Sequence, residues 1–227
     1  MPRRKSLDHV VVPQAVMRRL PVYYRYLGAL LARGTERVSS QELSRMIGIT
    51  ASQMRQDLSY FGSFGQQGYG YRVRDLHRAI TEILGLHRTY QLVLVGVGNL
   101  GRALVSYPSF ANRGFRFCGL FDNDPRLIGS EFCGLEIRPV DTLADFLHQC
   151  PVDIGVITAP PEVAQQIADV LVAGGVPAIW NFAPTSLKVP KGVIVEHTHI
   201  SESLMVLSFR LNNPEEADTS VESASNQ

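Results

Sequence analysis

The run Val95-Gly96-Val97-Gly98-Asn99-Leu100-Gly101 constrains this chain more than any other stretch. It follows the apolar segment Leu92–Val95 and leads into a helical pattern over Leu100–Tyr107, so its glycines fall where a strand turns sharply into a helix. The first N–H groups of a helix have no partner within it, and together with the helix dipole they favour a pyrophosphate. Alone, G-x-G-x-x-G is a weak signal; the strand–turn–helix context gives it force. Gly96, Val97, Gly98, Asn99, Leu100 and Gly101 are therefore candidate cofactor-binding residues. The next strand, Phe115–Phe121, ends at Asp122. A carboxylate there accepts from the adenosine ribose 2′-OH and repels a 2′-phosphate. Asn123 and Asp124 follow, and no arginine comes before Arg126. The expectation is NAD(H) rather than NADP(H), against the alternative of another nucleotide or none.

The surroundings agree with this placement. Apolar strands at Gln91–Val95, Phe115–Phe121, Asp153–Thr158, Ala178–Phe182 and Val193–Val195 alternate with helical segments at Leu100–Tyr107, Leu143–Gln149 and Val163–Ala173. Buried strands alternating with helices indicate a doubly wound parallel sheet. A last apolar helix, Ser201–Leu211, carries Leu204, Leu207, Phe209 and Leu211 and has no evident place in that sheet. The polar, acidic tail 212–227 is expected to be disordered.

The first part of the chain has another character. The overall net charge of +1 divides sharply: residues 1–90 hold 14 Lys+Arg and 6 Asp+Glu, net +8, and the remainder holds 8 and 15, net −7. A basic segment of this kind suits nucleic acid, or is merely a solvated face. Residues 13–33 have helical periodicity, with Pro21 marking a kink or a fresh start. Ser39 and Glu42 have capping-box spacing, as do Thr50 and Gln53, and about three residues separate the two short helices they open. That is a helix-turn-helix. The run from Tyr60 to Tyr71 alternates glycines with aromatics and reads as a β-hairpin with a flexible tip. Together these make a winged helix; the alternative is a small helical cap whose hairpin packs on the neighbouring domain. A helix over Asp75–Leu86 leads into the second half. The expected architecture is α/β: a winged helix-turn-helix domain at 1–87, a Rossmann domain at 88–199, the terminal helix at 200–211 and the tail at 212–227.

Several functions are disfavoured. No apolar run approaches the ~18 residues of a spanning helix, and the N-terminus lacks the apolar core of a signal peptide. Three cysteines suit neither a disulfide framework nor a zinc site, so a cytoplasmic, reduced protein is expected. His197 and His199 end a strand and read as structural rather than metal-binding. No evident general acid/base and no room for a substrate domain argue against catalysis. The residual enzyme reading is an NAD-dependent oxidoreductase with an N-terminal oligomerisation domain.

Three stretches resemble the Rex family of redox-sensing transcriptional repressors: Val38–Tyr71, with Ser39-Ser40-Gln41-Glu42-Leu43 and Asp57-Leu58-Ser59-Tyr60-Phe61-Gly62; the glycine-rich run with Phe121-Asp122-Asn123-Asp124-Pro125; and Asn181-Phe182-Ala183-Pro184. The resemblance covers about residues 10–211. It implies a homodimer that binds inverted-repeat operators in double-stranded DNA when NADH is low and leaves them when NADH binds. It implies that Ser201–Leu211 is swapped onto the partner subunit. Phe182 and Asn181 would lie near the nicotinamide, with Thr158, Ala159 and Pro160 lining the pocket.

Two departures stand out. Many family members carry lysine after the recognition-helix arginine, whereas this chain reads Arg55-Gln56-Asp57. Glutamine contacts adenine bidentately, which shifts the expected half-site from TTGTGAA towards TTGTTAA. His199 stands where relatives have an aspartate able to pair with an arginine matching Arg25, so the switch here either uses other contacts or responds to pH. Arg55 is the expected base reader. Ser52, Gln53, Ser59 and the arm Arg3-Arg4-Lys5 are expected on phosphates, and Gln66 and Gln67 at the wing tip.

Overall fold

A computed structural model describes residues 12–62, 64 and 69–213. Arg3, Arg4, Lys5, Gln66, Gln67 and most of the tail lie outside the described residues. The chain divides into two compact units: residues to His87 with the end of the chain from Arg210, and Arg88–Phe209.

The first unit is helical. Helix α1 (Gln14–Ala32) is one continuous element with Pro21 inside it, so the proline does not start a new helix. Pro21 and Met17, whose carbonyl it leaves without a donor, lie on the exposed side of the helix, open to solvent. A short strand β1 (Arg37–Val38) precedes α2 (Ser40–Ile47) and α3 (Ala51–Ser59); β2 (Tyr71–Arg72) and α4 (Val73–Ile83) follow. Ser39 and Glu42 form the reciprocal capping box, and its backbone hydrogen bond holds the Glu42 carboxyl below its ordinary pKa. Thr50 caps α3 by accepting from the Gln53 amide at 3.1 Å, but Gln53 does not reach back, so the second box is half formed. Gly48, with φ of +79°, turns the chain between the two helices. Leu20, Tyr23, Leu27, Leu43, Met54, Leu58, Leu76 and Ile80 form the core.

The wing differs from expectation. Its C-terminal arm does not pair with residues near Tyr60; β2 pairs antiparallel with β1, Val38 opposite Tyr71 and Arg37 opposite Arg72. Tyr60 and Phe61 instead extend the end of α3 as a turn, with Phe61 packed on the helical core.

The second unit is built on a seven-stranded sheet. Its strands are β3 (Tyr90–Val95), β4 (Phe115–Asp122), β5 (Glu131–Phe132), β6 (Leu135–Pro139), β7 (Ile154–Ile157), β8 (Ala178–Asn181) and β9 (Ile194–His197), in spatial order β5-β6-β4-β3-β7-β8-β9. Apart from the antiparallel β5–β6 edge, all pairs are parallel. Numbering the six parallel strands along the chain gives 3-2-1-4-5-6, the order of dinucleotide-binding sheets. The side chains alternate between faces. Val93, Val95, Phe121 and Ile157 pack on one side under α7 (Leu143–Gln149) and α8 (Pro161–Ala173). Leu92, Leu94, Leu120 and Val156 pack on the other with Val97 and Ile137, near α5 (Asn99–Val105). A short α6 (Pro108–Ala111) follows α5, and α9 (Ile200–Asn212) ends the described chain.

Candidate nucleic-acid interface and dinucleotide site

In the first unit, α3 presents Ser52, Arg55, Gln56 and Ser59 to solvent. Their spacing of i, i+3, i+4 and i+7 places all four on one helical face. The Arg55 guanidinium donates to the Ser40 hydroxyl at 3.3 Å, and the Ser59 hydroxyl to the Gln56 carbonyl at 2.7 Å.

The opposite face of α3 carries a group that the sequence reading did not single out. Asp57 has a fully buried side chain that accepts from Arg19 Nε at 2.6 Å and Arg19 Nη2 at 2.8 Å. It also accepts from the Tyr23 hydroxyl at 2.5 Å and from the Gln53 amide at 2.8 Å. Burial alone would raise the Asp57 pKa, but the donors from Arg19, Tyr23 and Gln53 outweigh it and leave the carboxyl lowered. Burial, and then the bond to Asp57, push the Tyr23 phenol up. Helix α3 is thus fastened to α1 by a fully satisfied buried network. Gln53, expected on phosphate, spends its amide inside this network. The available signal was an aspartate at core spacing, with Met54 three positions before it and Leu58 one after.

In the second unit, the three glycines of the loop have separate steric duties. Gly96 has φ of +103°, and a Cβ there would lie 2.8 Å from the Thr158 backbone. A Cβ on Gly101 would overlap the Gly96 carbonyl oxygen, so this position sets the close approach of α5 to β3. A Cβ on Gly98 would meet nothing within 4 Å; it would stand in the open space before the helix N-terminus. A tight turn, close helix–strand packing and an open approach for pyrophosphate are the three requirements of a dinucleotide loop. The residues present fit that group.

Neighbouring loops meet this one where the strand order reverses. The Thr158 hydroxyl donates to the Gly96 carbonyl at 2.6 Å, and Thr158-Ala159-Pro160 leads directly into α8. The Phe182 amide donates to the Ile157 carbonyl at 2.9 Å, placing Phe182 beside the same strand end, with its ring 4.5 Å from that of Trp180.

Two expected ligand-contacting side chains are engaged within the protein. Asp122 Oδ2 accepts from the Val97 amide at 2.5 Å, and Oδ1 from the Asn123 and Asp124 amides at 2.8 and 2.9 Å. A carboxylate has about four acceptor sites, so one remains on Oδ2 for a ribose hydroxyl. Asn181 is fully buried. It accepts from the Ala183 amide at 3.0 Å and points its own amide at the Ala183 and Thr185 carbonyls and at His197 Nδ1. It shapes the loop that carries Phe182 and leaves no surface for a ligand. Asn123 is exposed. Asp124, pulled to a pKa of about 2 by hydrogen bonds from Arg126, holds that guanidinium at 2.7 Å.

Arg25 is exposed and lies over the Tyr26 ring, 5.2 Å from its centroid. His199 stacks on His197 at 6.1 Å. Among the described residues no group of three or more His, Cys, Asp or Glu is placed to hold a metal ion, and no helix is long and apolar enough to cross a membrane.

Fold and site define a helix-turn-helix protein joined to a Rossmann-type nucleotide domain, and comparison with known proteins agrees. Residues 11–59 match a family model described as "Putative DNA-binding protein N-terminus", and residues 87–185 one described as "CoA binding domain". A redox-sensing transcriptional repressor Rex of Thermoanaerobacter sp. (strain X514) is 50% identical over 205 residues, covering 90% of this chain and 92% of that protein. The Rex of Clostridium tetani is 48% identical over 205 residues, covering 90% and 97%. The crystal structure of RSP in complex with β-NAD⁺ and operator DNA superposes with a TM-score of 0.86 at 49% identity, covering 93% of this chain and 97% of that one. RSP in complex with β-NADH gives 0.85 at 46% identity, covering 93% and 99%. The chain belongs to the Rex family of redox-sensing transcriptional repressors.

Proposed function

We propose that this chain is a repressor that binds operator DNA through α3 and reports the NADH/NAD⁺ balance through the Rossmann unit. The observation that carries the reading is the glycine loop, in which the three glycines meet the three steric demands of a dinucleotide. RSP, its structural neighbour, is known in complex with β-NAD⁺ and operator DNA and with β-NADH. The backbone amides from Gly98 to Gly101 hold the pyrophosphate, while the Val97 amide is spent on Asp122, which keeps the loop in place and offers its last acceptor site to the ribose. Asn123, Thr158, Ala159, Pro160 and Phe182 line the rest, and Asn181 holds the Phe182 loop. Nicotinamide adenine dinucleotide supplies a nicotinamide ring whose redox state differs between NADH and NAD⁺. It shifts the repressor only as far as its affinity differs between the DNA-binding and released states. The reading is of a regulator rather than an enzyme. Calorimetry with NADH, NAD⁺, NADPH and coenzyme A tests the ligand: the reading requires NADH to bind most tightly, and a preference for coenzyme A contradicts it.

The active form is a homodimer in this reading. Helix α9 exposes 66% of Leu204, 66% of Met205, 54% of Leu207 and 82% of Leu211 in the single chain. A helix this apolar is stable in water only when covered, and a partner subunit supplies the cover, with the helix exchanged between copies. Arg25 and His199 belong to the contacts that respond to the ligand. Met205→Glu with Leu207→Glu should convert the dimer to monomer in sedimentation, with specific operator binding lost.

Arg55 reads guanine, and Gln56, beside it on the exposed face, reads adenine. Ser52, Ser59, the arm Arg3-Arg4-Lys5 and Gln66 and Gln67 add contacts to the backbone and groove. Arg55→Ala should cost ~1–3 kcal/mol on the operator and relax the preference at one base pair only. In competitive gel shifts the wild type should prefer an inverted repeat of TTGTTAA to one of TTGTGAA, and the reverse order removes Gln56 from base reading.

A further inference from the structure

Beside the β1–β2 ladder the first unit contains a second basic feature, separate from the recognition face. An open cleft of about 630 Å³ lies between the end of α1 and the start of α4, and four arginines line it: Arg37, Arg72, Arg74 and Arg78. All four are exposed, and none forms an ion pair among the described residues. Glu36 and Asp75 also line the cleft, which leaves two more guanidiniums than carboxylates.

Two of these placements oppose the stability of the free protein. Arg37 and Arg72 stand directly opposite each other across the ladder, and like charges in that relation destabilise a strand pair. Arg72 is the N-cap of α4 and makes no side-chain cap bond, and Arg74 lies in the first turn. The helix dipole there favours negative charge. An anion in the cleft removes both conflicts at once.

We infer that the cleft formed by Arg37, Arg72, Arg74 and Arg78 is a second DNA-contacting site, which grips backbone phosphates beside the bases read by α3. The inference rests on the DNA-binding reading above. The lining contains one apolar side chain, Leu31, and no aromatic ring; the nearby Tyr69 ring is already covered by the Arg37 guanidinium, 6.0 Å from its centroid, so the cleft itself favours phosphate over the base of a free nucleotide. Guanidinium forks match phosphate oxygens bidentately. The position suits a duplex: β2 pairs with β1 directly before α2, and Arg55 touches Ser40, three residues beyond Arg37.

The test is the salt dependence of binding by the full-length protein, on an operator duplex and on a random duplex of equal length. Each phosphate that the protein no longer neutralises lowers the slope of log K against log salt by ~0.9. Arg72→Gln/Arg74→Gln/Arg78→Gln should lower the slope on both duplexes alike and leave the operator-to-random ratio unchanged. Its thermal midpoint should equal or exceed wild type, because repulsion has been removed. The triple lysine variant should recover most of the binding. Should the triple glutamine variant fail to fold, Arg74→Gln alone, at an exposed helical position, carries the test with a slope lower by ~1.8, one phosphate for each subunit of the dimer.

A folded variant with the wild-type slope on both duplexes overturns the inference. So does a loss confined to the operator, or a variant that loses inorganic triphosphate binding while keeping its DNA slope. The random duplex makes the outcome independent of operator recognition. If wild type shows no operator preference, the repressor reading fails while the cleft is still judged.

Discussion

Replacing Asp57 by alanine should abolish DNA binding while leaving NADH binding at the wild-type level. The carboxylate is fully buried and is the common acceptor for Arg19, Tyr23 and Gln53. Removing one partner of a buried charge pair costs ~3–5 kcal/mol, because the remaining charge stays desolvated without compensation. Arg19 keeps 27% of its side-chain surface exposed, which places the cost towards the lower end. That is a large share of what a small helical unit has in reserve. The loss should appear as a lowered first transition in a thermal melt, with the second unit unchanged. Asp57→Asn retains the shape and some of the bonds, and should fall between alanine and wild type.

The network also predicts a pH response. The Asp57 carboxyl is lowered in the folded state, so its contribution is complete above the ordinary carboxylate pKa and is lost as pH falls through the lowered value. Wild-type stability should decline at acid pH more steeply than that of Asp57→Asn.

Gly98→Val should give a stable repressor that no longer responds to NADH at the concentrations that release the wild type. Gly98 has φ of −72° with extended ψ, which valine adopts without strain, and a Cβ there meets nothing in the free protein. The thermal midpoint should therefore stay close to wild type. The added side chain instead fills the approach of the pyrophosphate to the helix N-terminus. Losing one or two charge-assisted bonds of ~1.5–3 kcal/mol each should weaken NADH by about 100-fold, and release from the operator should need about 100-fold more NADH. Gly101→Val is the contrasting variant. Its Cβ collides with the Gly96 carbonyl and the Leu94 side chain, so it should lose both stability and NADH binding. Equal stability losses in the two variants would remove the distinction drawn between the glycines.

The parts legible in the sequence were those written in local patterns. Caps, glycine stops and apolar periodicity placed α2, α3, α7 and α8 within one or two residues, and the parallel sheet followed from its runs of apolar strands. The parts that escaped depend on partners distant in the chain. The β5–β6 hairpin turns at Cys133-Gly134, both with positive φ, and a cysteine in that conformation gives none of the usual Asn-Gly signal. The pairing of β2 with β1 joins residues on either side of the helix-turn-helix, which a reading of neighbouring residues turned into a local hairpin. In the sequence Asp122, Asn181 and Gln53 have the character of polar groups free to meet a ligand, and the structure binds each of them first to the backbone or to a buried acid. Conversely, Asp57 was hidden because its partners Arg19 and Tyr23 lie 38 and 34 residues away.

The central claim is that one chain couples operator binding to nicotinamide redox state, and a gel shift on an inverted-repeat operator tests it most directly. With NAD⁺ held in excess and NADH raised, the account predicts full occupancy at the start and progressive release as NADH increases, with no release by equal additions of NADPH. Occupancy that stays constant across the NADH titration, or release that follows total dinucleotide regardless of its redox state, would contradict it.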